Sequence, residues 1–312
     1  MDTNVERAQK PWILVTHDSP DPDAFACLWF AVRFVVGDAP YEIRSVRAGE
    51  RLPDGECAGC HTLHMDTGRG QFDQHERELH RASSFKLLVE EYGYAEDPGI
   101  APILAMTVAV DNVDQMAWTD ASYVLKGLRF YYKDPESKQI DWDAAVIMAN
   151  TLLNILYDQA RSRARAAKEW EEIGSLITLP NGLKLAYLGF KPNLRGAAYE
   201  AGADVVVWMV PRSKRFYPII QLGRGCSLKL NALVAEIRKA EATKRGISSR
   251  GYLGVIGSMP QFGGWVLHDS CRLILCGSRS HELTEETEFP TLKPHEILDI
   301  TKRVMGGLTH NV

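Results

Sequence analysis

A chain of 312 residues is long for one core and favours two domains. Its composition, 45% hydrophobic and 24% charged, excludes a disordered or fibrous class. A net charge of −4 provides no global basic field, so contact with nucleic acid would need a local basic groove.

Residues 1–10 are polar and charged and do not read as a secretory signal. Trp12-Ile13-Leu14-Val15 opens a buried strand over 12–16, and 23–36 reads as a buried helix. The apolar stretch 24–36 is interrupted by Arg33 and is too short to span a bilayer. Residues 41–46 form a second strand, and 63–66 a short third strand ending on Asp66. Residues 83–92 read as a helix with Ser83 or Ser84 as N-cap, followed by helices over 103–114 and 121–130. Strands alternating with helices imply a mostly parallel sheet.

After a polar loop at 133–139, one long helix is expected from about 141 to 177, apolar first and strongly charged from Arg161 to Glu172. Beyond it, 184–188, 204–210 and 216–222 read as strands, and 227–240 as an amphipathic helix carrying Leu230, Leu233, Val234 and Ile237 on one face. Residues 265–268 and 272–276 read as a hairpin turning at Asp269-Ser270, and Pro294-His295-Glu296 starts a last helix that Gly306 ends. The expected fold class is α/β. An N-terminal, mostly parallel sheet flanked by helices (1–175) is joined by the connector helix to a smaller α/β C-terminal domain (176–312). The protein is expected to be soluble and cytoplasmic, its six cysteines reduced, with no membrane contact and a homo-oligomer allowed.

The chemistry concentrates early. Thr16-His17-Asp18-Ser19-Pro20-Asp21-Pro22-Asp23 follows the first strand, where open α/β sheets put their ligands. H-x-x-x-D-x-D offers an imidazole and two carboxylates to a hard divalent cation. Asp66, before Thr67-Gly68, stands alone at a strand end, and Phe72-Asp73-Gln74-His75-Glu76 follows. Asp111, in Val110-Asp111-Asn112-Val113-Asp114, is a fourth acid on an apolar segment, with Asp114 a rival for its role. Two metals about 3.5–4 Å apart need a bridging carboxylate and terminal ligands on each ion. Asp66 is the natural bridge, His17 and Asp21 complete one ion, and Asp23 and Asp111 the other. Water between two Mn²⁺ or Mg²⁺ ions would attack phosphorus in line.

In this order the motifs resemble the DHH (Asp-His-His) phosphoesterase superfamily. Met65-Asp66-Thr67-Gly68, Gln71-Phe72-Asp73-Gln74-His75-Glu76-Arg77, Ser83-Ser84-Phe85-Lys86, Val110-Asp111-Asn112 and Trp265-Val266-Leu267-His268 are closest to its melanocyte-proliferating-gene branch of predicted metal-dependent exonucleases. The resemblance implies an exonuclease-like phosphoesterase acting on short nucleic acids or nucleotides, with Asp66 and His75 catalytic and His75 on the substrate phosphate. It implies a second domain gripping substrate, for which Arg224 and Arg279 are candidates, as are Arg212, Lys214 and Arg215. The family's middle histidine, a ligand of the second metal, is here Gln74, a weak ligand at best. His64 or His80 could compensate for it. A phosphatase or pyrophosphatase for small anions stays open, as does a non-catalytic metal- or nucleotide-binding regulatory module.

Other features read blandly. Cys57-Ala-Gly-Cys60-His61 spells a haem-attachment or, with His64, a zinc pattern, but better fits a turn before a strand. Arg161, Arg165 and Lys168 read as a solvated helix stripe, and Trp29, Trp208 and Trp265 as core.

Overall fold

The computed structural model describes residues 10–53, 56, 59–75, 82–113, 120–137, 139–212, 215–277, 283 and 289–308. The chain forms two compact units, Met1–Ser162 and Arg163–Val312, which divide inside the long helix. The sequence expectation put the boundary at that helix's end.

In the first unit, β1 (Trp12–His17) is the centre of a three-stranded parallel sheet, flanked by β2 (Tyr41–Val46) and β3 (His61–His64). Ile13, Leu14 and Val15 are all buried, as a strand covered on both faces requires. Helix α1 (Pro22–Phe30) is buried at every position, starts with Pro22 in its first turn, and continues as π-helix over Ala31–Val36 until Gly37 turns the chain at φ 60°. Around it pack α2 (Ser84–Glu91), α3 (Ala101–Asp111), α4 (Ala121–Tyr131) and the first part of α5 (Trp142–Ile173). Phe25, Trp29, Phe30, Phe85 and Tyr157 fill this core.

The second unit holds a seven-stranded sheet in the order β4 (Ile177–Thr178), β5 (Lys184–Tyr187), β6 (Val205–Arg212), β7 (Arg215–Leu222), β10 (Leu273–Cys276), β9 (Trp265–Leu267), β8 (Gly257–Met259). Among the described residues of this sheet only β5 and β6 pair in parallel. Helices α6 (Arg195–Glu200), α7 (Asn231–Lys244) and α8 (Pro294–Gly306) complete it, with Leu233, Val234, Ile237, Trp265 and Ile297 in the core.

The α/β class stands, while several boundaries move. The third strand ends at His64 instead of Asp66, because Asp66 turns with φ 55° and gives its N–H to the Phe72 carbonyl at 2.9 Å. Helix α7 begins at Asn231, not 227, since the N–H of Leu230 is taken by the Cys271 carbonyl at 2.8 Å. Helix α5 stops at Ile173, and Ile177 pairs instead with Leu185 across β4 and β5. Trp29, Trp208 and Trp265 are core residues. His61 stacks on Trp12 at 4.7 Å, and His64 Nε2 accepts from the Leu52 N–H at 3.1 Å. Cys57 lies outside the described residues, and Cys27, Cys60, Cys226, Cys271 and Cys276 are free thiols. Among the described residues no helix is long and apolar enough to cross a membrane.

Candidate metal centre

The site lies in the first unit, at the C-terminal ends of β1 and β3. His17 is the last residue of β1, and its Nε2 lies 3.0 Å from Asp66 Oδ2. Asp21 is the N-cap of α1 and accepts from the backbone N–H of Asp23 at 2.9 Å and of Ala24 at 3.1 Å. Ligand atoms of His17, Asp21 and Asp66 all fall within 4.8 Å of one another, the donor chemistry a divalent cation needs. The same three residues line a cleft of about 320 Å³ with Ala48, Gly49, Arg69, Asp73 and His75.

Asp66 is buried in a left-handed turn that aspartate tolerates better than most residues. Its N–H donates to the Phe72 carbonyl at 2.9 Å, which fixes the carboxylate's direction. One oxygen meets His17. The other lies 3.3 Å from Ser84 Oγ and faces Gln74 Nε2 at 3.5 Å.

Asp23, two residues beyond the cap, is fully buried and turned toward a different helix. Its oxygens accept the N–H groups of Ser84 at 2.7 Å and Phe85 at 3.1 Å, the first turn of α2. Asp111, the last residue of α3, accepts from Gln74 Nε2 at 3.1 Å. Gln74 Oε1 accepts in turn from Ser84 Oγ. His75 is 66% exposed, and its Nδ1 lies 2.9 Å from Asp73 Oδ1. A carboxylate only accepts, so Nδ1 carries the proton and Nε2 is left for a ligand. Asp73 itself is buried and also accepts the backbone N–H groups of Arg69 at 2.7 Å and His75 at 3.0 Å.

Crowded like charges set the protonation. Burial first, then the charges of Asp21 and Asp66, push Asp111 up to about 8. Burial, then Asp111 and Asp66, hold Asp23 well above the carboxylate range, and burial and Asp66 raise Asp21. For His17, burial opposes the charged imidazole, but the hydrogen bond and charge of Asp66 outweigh it and raise its pKa. The buried Cys27 thiol is pushed well up by burial and the same acids.

The structure thus brings His17, Asp21, Asp23, Asp66, Gln74, His75 and Asp111 into one neighbourhood. Ser84 belongs there too and was missed as a site residue. A Ser-Ser pair at a helix start signals capping; Ser83 takes the cap, accepting from Lys86 N–H at 3.1 Å, and frees the Ser84 hydroxyl. Arg69 and the Ala48-Gly49 turn were also unread as cleft residues. In the second unit Arg224 is exposed after β7. Arg279, His281, Lys214, His80 and Asp114, with the side chains of Arg212 and Arg215, lie outside the described residues.

No family model matches the chain, and no curated protein matches it. Solved structures do. A pGpG-specific phosphodiesterase from Vibrio cholerae is 12% identical over 93% of this chain and 99% of that one, with a TM-score of 0.31. A DHH domain from a member of the s1p family of ribosomal proteins is 13% identical over 96% and 87%, with a TM-score of 0.32. An exopolyphosphatase-related protein from Bacteroides fragilis is 12% identical over 96% and 92%, with a TM-score of 0.25. At such TM-scores the likenesses carry no weight in assigning function, which rests on the side chains described above.

Proposed function

We propose that the first unit is a metal-dependent phosphoesterase using a divalent cation, Mn²⁺ or Mg²⁺, held by His17, Asp21 and Asp66. The observation that carries this reading is the convergence of one imidazole and two carboxylates within 4.8 Å in a cleft that His75 also lines. When bound, the cation supplies Lewis acidity to a phosphoryl oxygen and acidifies water. Asp66 is pre-oriented for this by its backbone bond to Phe72, by His17 on one carboxylate oxygen and by the Gln74 amide facing the other. Asp73 holds the His75 ring by Nδ1, so that the doubly protonated imidazolium would present Nε2–H to a phosphate oxygen as charge develops there. Arg69 adds positive charge to the cleft.

Following the resemblance, the substrate is a short nucleic-acid end, degraded stepwise, with Arg224 and Arg279 as its grips. A small phosphate ester or anhydride is the second reading. The cleft's modest volume and Arg69 as its one described Lys or Arg lining residue favour it. The test is Mn²⁺- and Mg²⁺-dependent hydrolysis of an end-labelled short oligonucleotide and of a small phosphate ester, with Asp66→Asn as control. Stepwise nucleotide release with a steep salt dependence supports the exonuclease. Turnover of the small ester alone supports the second reading. Hydrolysis of neither, with the cation bound, leaves a binding module and overturns both.

A further inference from the structure

The two-ion expectation needs a second set of ligands around Asp66, drawn from Asp23, Asp111 and residue 74. The structure has committed those atoms otherwise. Both oxygens of Asp23 accept backbone N–H groups at the start of α2. Asp111 takes the Gln74 amide at 3.1 Å. The free oxygen of Asp66 faces the same amide nitrogen at 3.5 Å. Gln74 Nε2 therefore stands between two carboxylates, where a cation bridging Asp66 and Asp111 would have to sit.

The amide's orientation follows from Ser84. Its hydroxyl donates to Gln74 Oε1, which turns the NH₂ group, with two donors, toward the acids. An amide oxygen turned inward would face carboxylates with no donor between them. Among the described residues, no second group of three His, Cys, Asp or Glu side chains reaches the ligand spacing of His17, Asp21 and Asp66.

We infer that the site loads a single divalent cation, at His17, Asp21 and Asp66, and that the Gln74 amide, anchored by Ser84, is the built-in substitute for a second. This rests on the metal-dependent reading proposed above. The amide supplies two hydrogen bonds where a metal would supply two positive charges. It is a neutral crosslink that holds Asp66 in place.

The experiment is metal stoichiometry and Mn²⁺ electron paramagnetic resonance on the full chain, titrated with Mn²⁺ and freed of excess. The expected result is about one Mn²⁺ per chain with the hyperfine spectrum of an isolated ion, lost in Asp21→Asn. Gln74→His should raise the stoichiometry to about two and give an exchange-coupled spectrum. Ser84→Ala, which frees the amide to turn its oxygen inward, should admit a second, weaker ion and covers the case in which Gln74→His does not fold. About two coupled ions in the unaltered protein, or no second ion in either variant, overturns the inference while leaving the phosphoesterase reading intact. Failure to bind Mn²⁺ at all removes both.

Discussion

In the second unit, Arg238 on α7 is buried, and its terminal nitrogens donate to the carbonyls of Leu253 at 2.7 Å, Val255 at 2.9 Å, Gly257 at 2.6 Å and Trp265 at 2.7 Å. Glu241, one turn further and equally buried, accepts from Thr291 Oγ1 at 2.6 Å, Leu292 N–H at 3.1 Å and Arg245 Nε at 3.2 Å. In the first unit Asp21, Asp23, Asp66 and Asp111 share their space with one imidazole, and three of them have raised pKa values. Burial lowers Arg238 only to about 10, so it stays charged at neutral pH inside its carbonyl cage. A buried charge with matched partners holds a loop and two strands to a helix. Buried like charges, pushed toward protonation by burial and then by one another, are a feature of sites that bind or react.

The largest effect should come from Asp66→Asn. It removes the shared ligand, so hydrolysis should fall by about 10³-fold or more, roughly 4 kcal/mol in the barrier. The metal-free protein should melt at the same temperature or higher, because one of four crowded carboxylates is gone. A fall in melting temperature would make Asp66 a scaffold residue like Glu241. Arg238→Met is the opposite case. It strands four carbonyls and should cost about 3–5 kcal/mol by denaturant titration, without changing the Mn²⁺ affinity of the folded protein. An equal loss of Mn²⁺ affinity would erase the distinction between the two buried clusters.

The local half of the site was legible. His17, Asp21 and Asp23 follow from a strand, a cap and a first helical turn within seven residues. The hairpin over 265–276 was equally local, its turn chemistry readable from Asp269-Ser270. What could not be read were partners brought together by tertiary packing. Asp23 looks like a cap for its own helix, yet it binds the first two N–H groups of α2, about sixty residues away, because Asp21 already serves α1. Gln74 was legible as a weakened ligand, but its place between Asp66 and Asp111 depends on Ser84 and on where α3 ends. The Arg238 cage likewise comes from a loop and two strands 15 to 27 residues downstream, with no periodic trace in the sequence.

The contrast should also appear in pH. Asp21, Asp23, Asp111 and His17 all have folded pKa values above their ordinary ones. A group raised on folding contributes stability that is fully present below its unfolded pKa and is lost as pH rises through the folded value. For Asp111 that window runs from about 4 to about 8. The metal-free protein should therefore lose stability from pH 5 to pH 8, by up to about 1.4 kcal/mol per pH unit for each proton released. Because the cation replaces those protons, the Mn²⁺-induced rise in melting temperature should be larger at pH 8 than at pH 6. Melts at both values, with and without Mn²⁺, test this. A metal-free melting temperature that rises over the window would mean the acids are not crowded as described.

The smallest effect concerns how Asp66 is held. Gly68 follows it by two residues at φ 78°, and a Cβ there would sit 2.9 Å from Arg51 Cγ and 3.3 Å from the Glu50 carbonyl oxygen. Arg51 can swing aside, but the Glu50 carbonyl is backbone, held by the Thr67 hydroxyl at 3.0 Å. Gly68→Ala should thus cost about 1–2 kcal/mol, from the left-handed conformation and the close approach. The turn from Asp66 to Phe72 sets the carboxylate's direction, so Mn²⁺ affinity should fall along with stability, by roughly tenfold, about 1.4 kcal/mol. Calorimetric titration of the folded variant reads that loss directly. Lower stability with unchanged affinity would show that Asp66 is aimed by its side-chain partners, His17 and Ser84, and not by the turn that carries it.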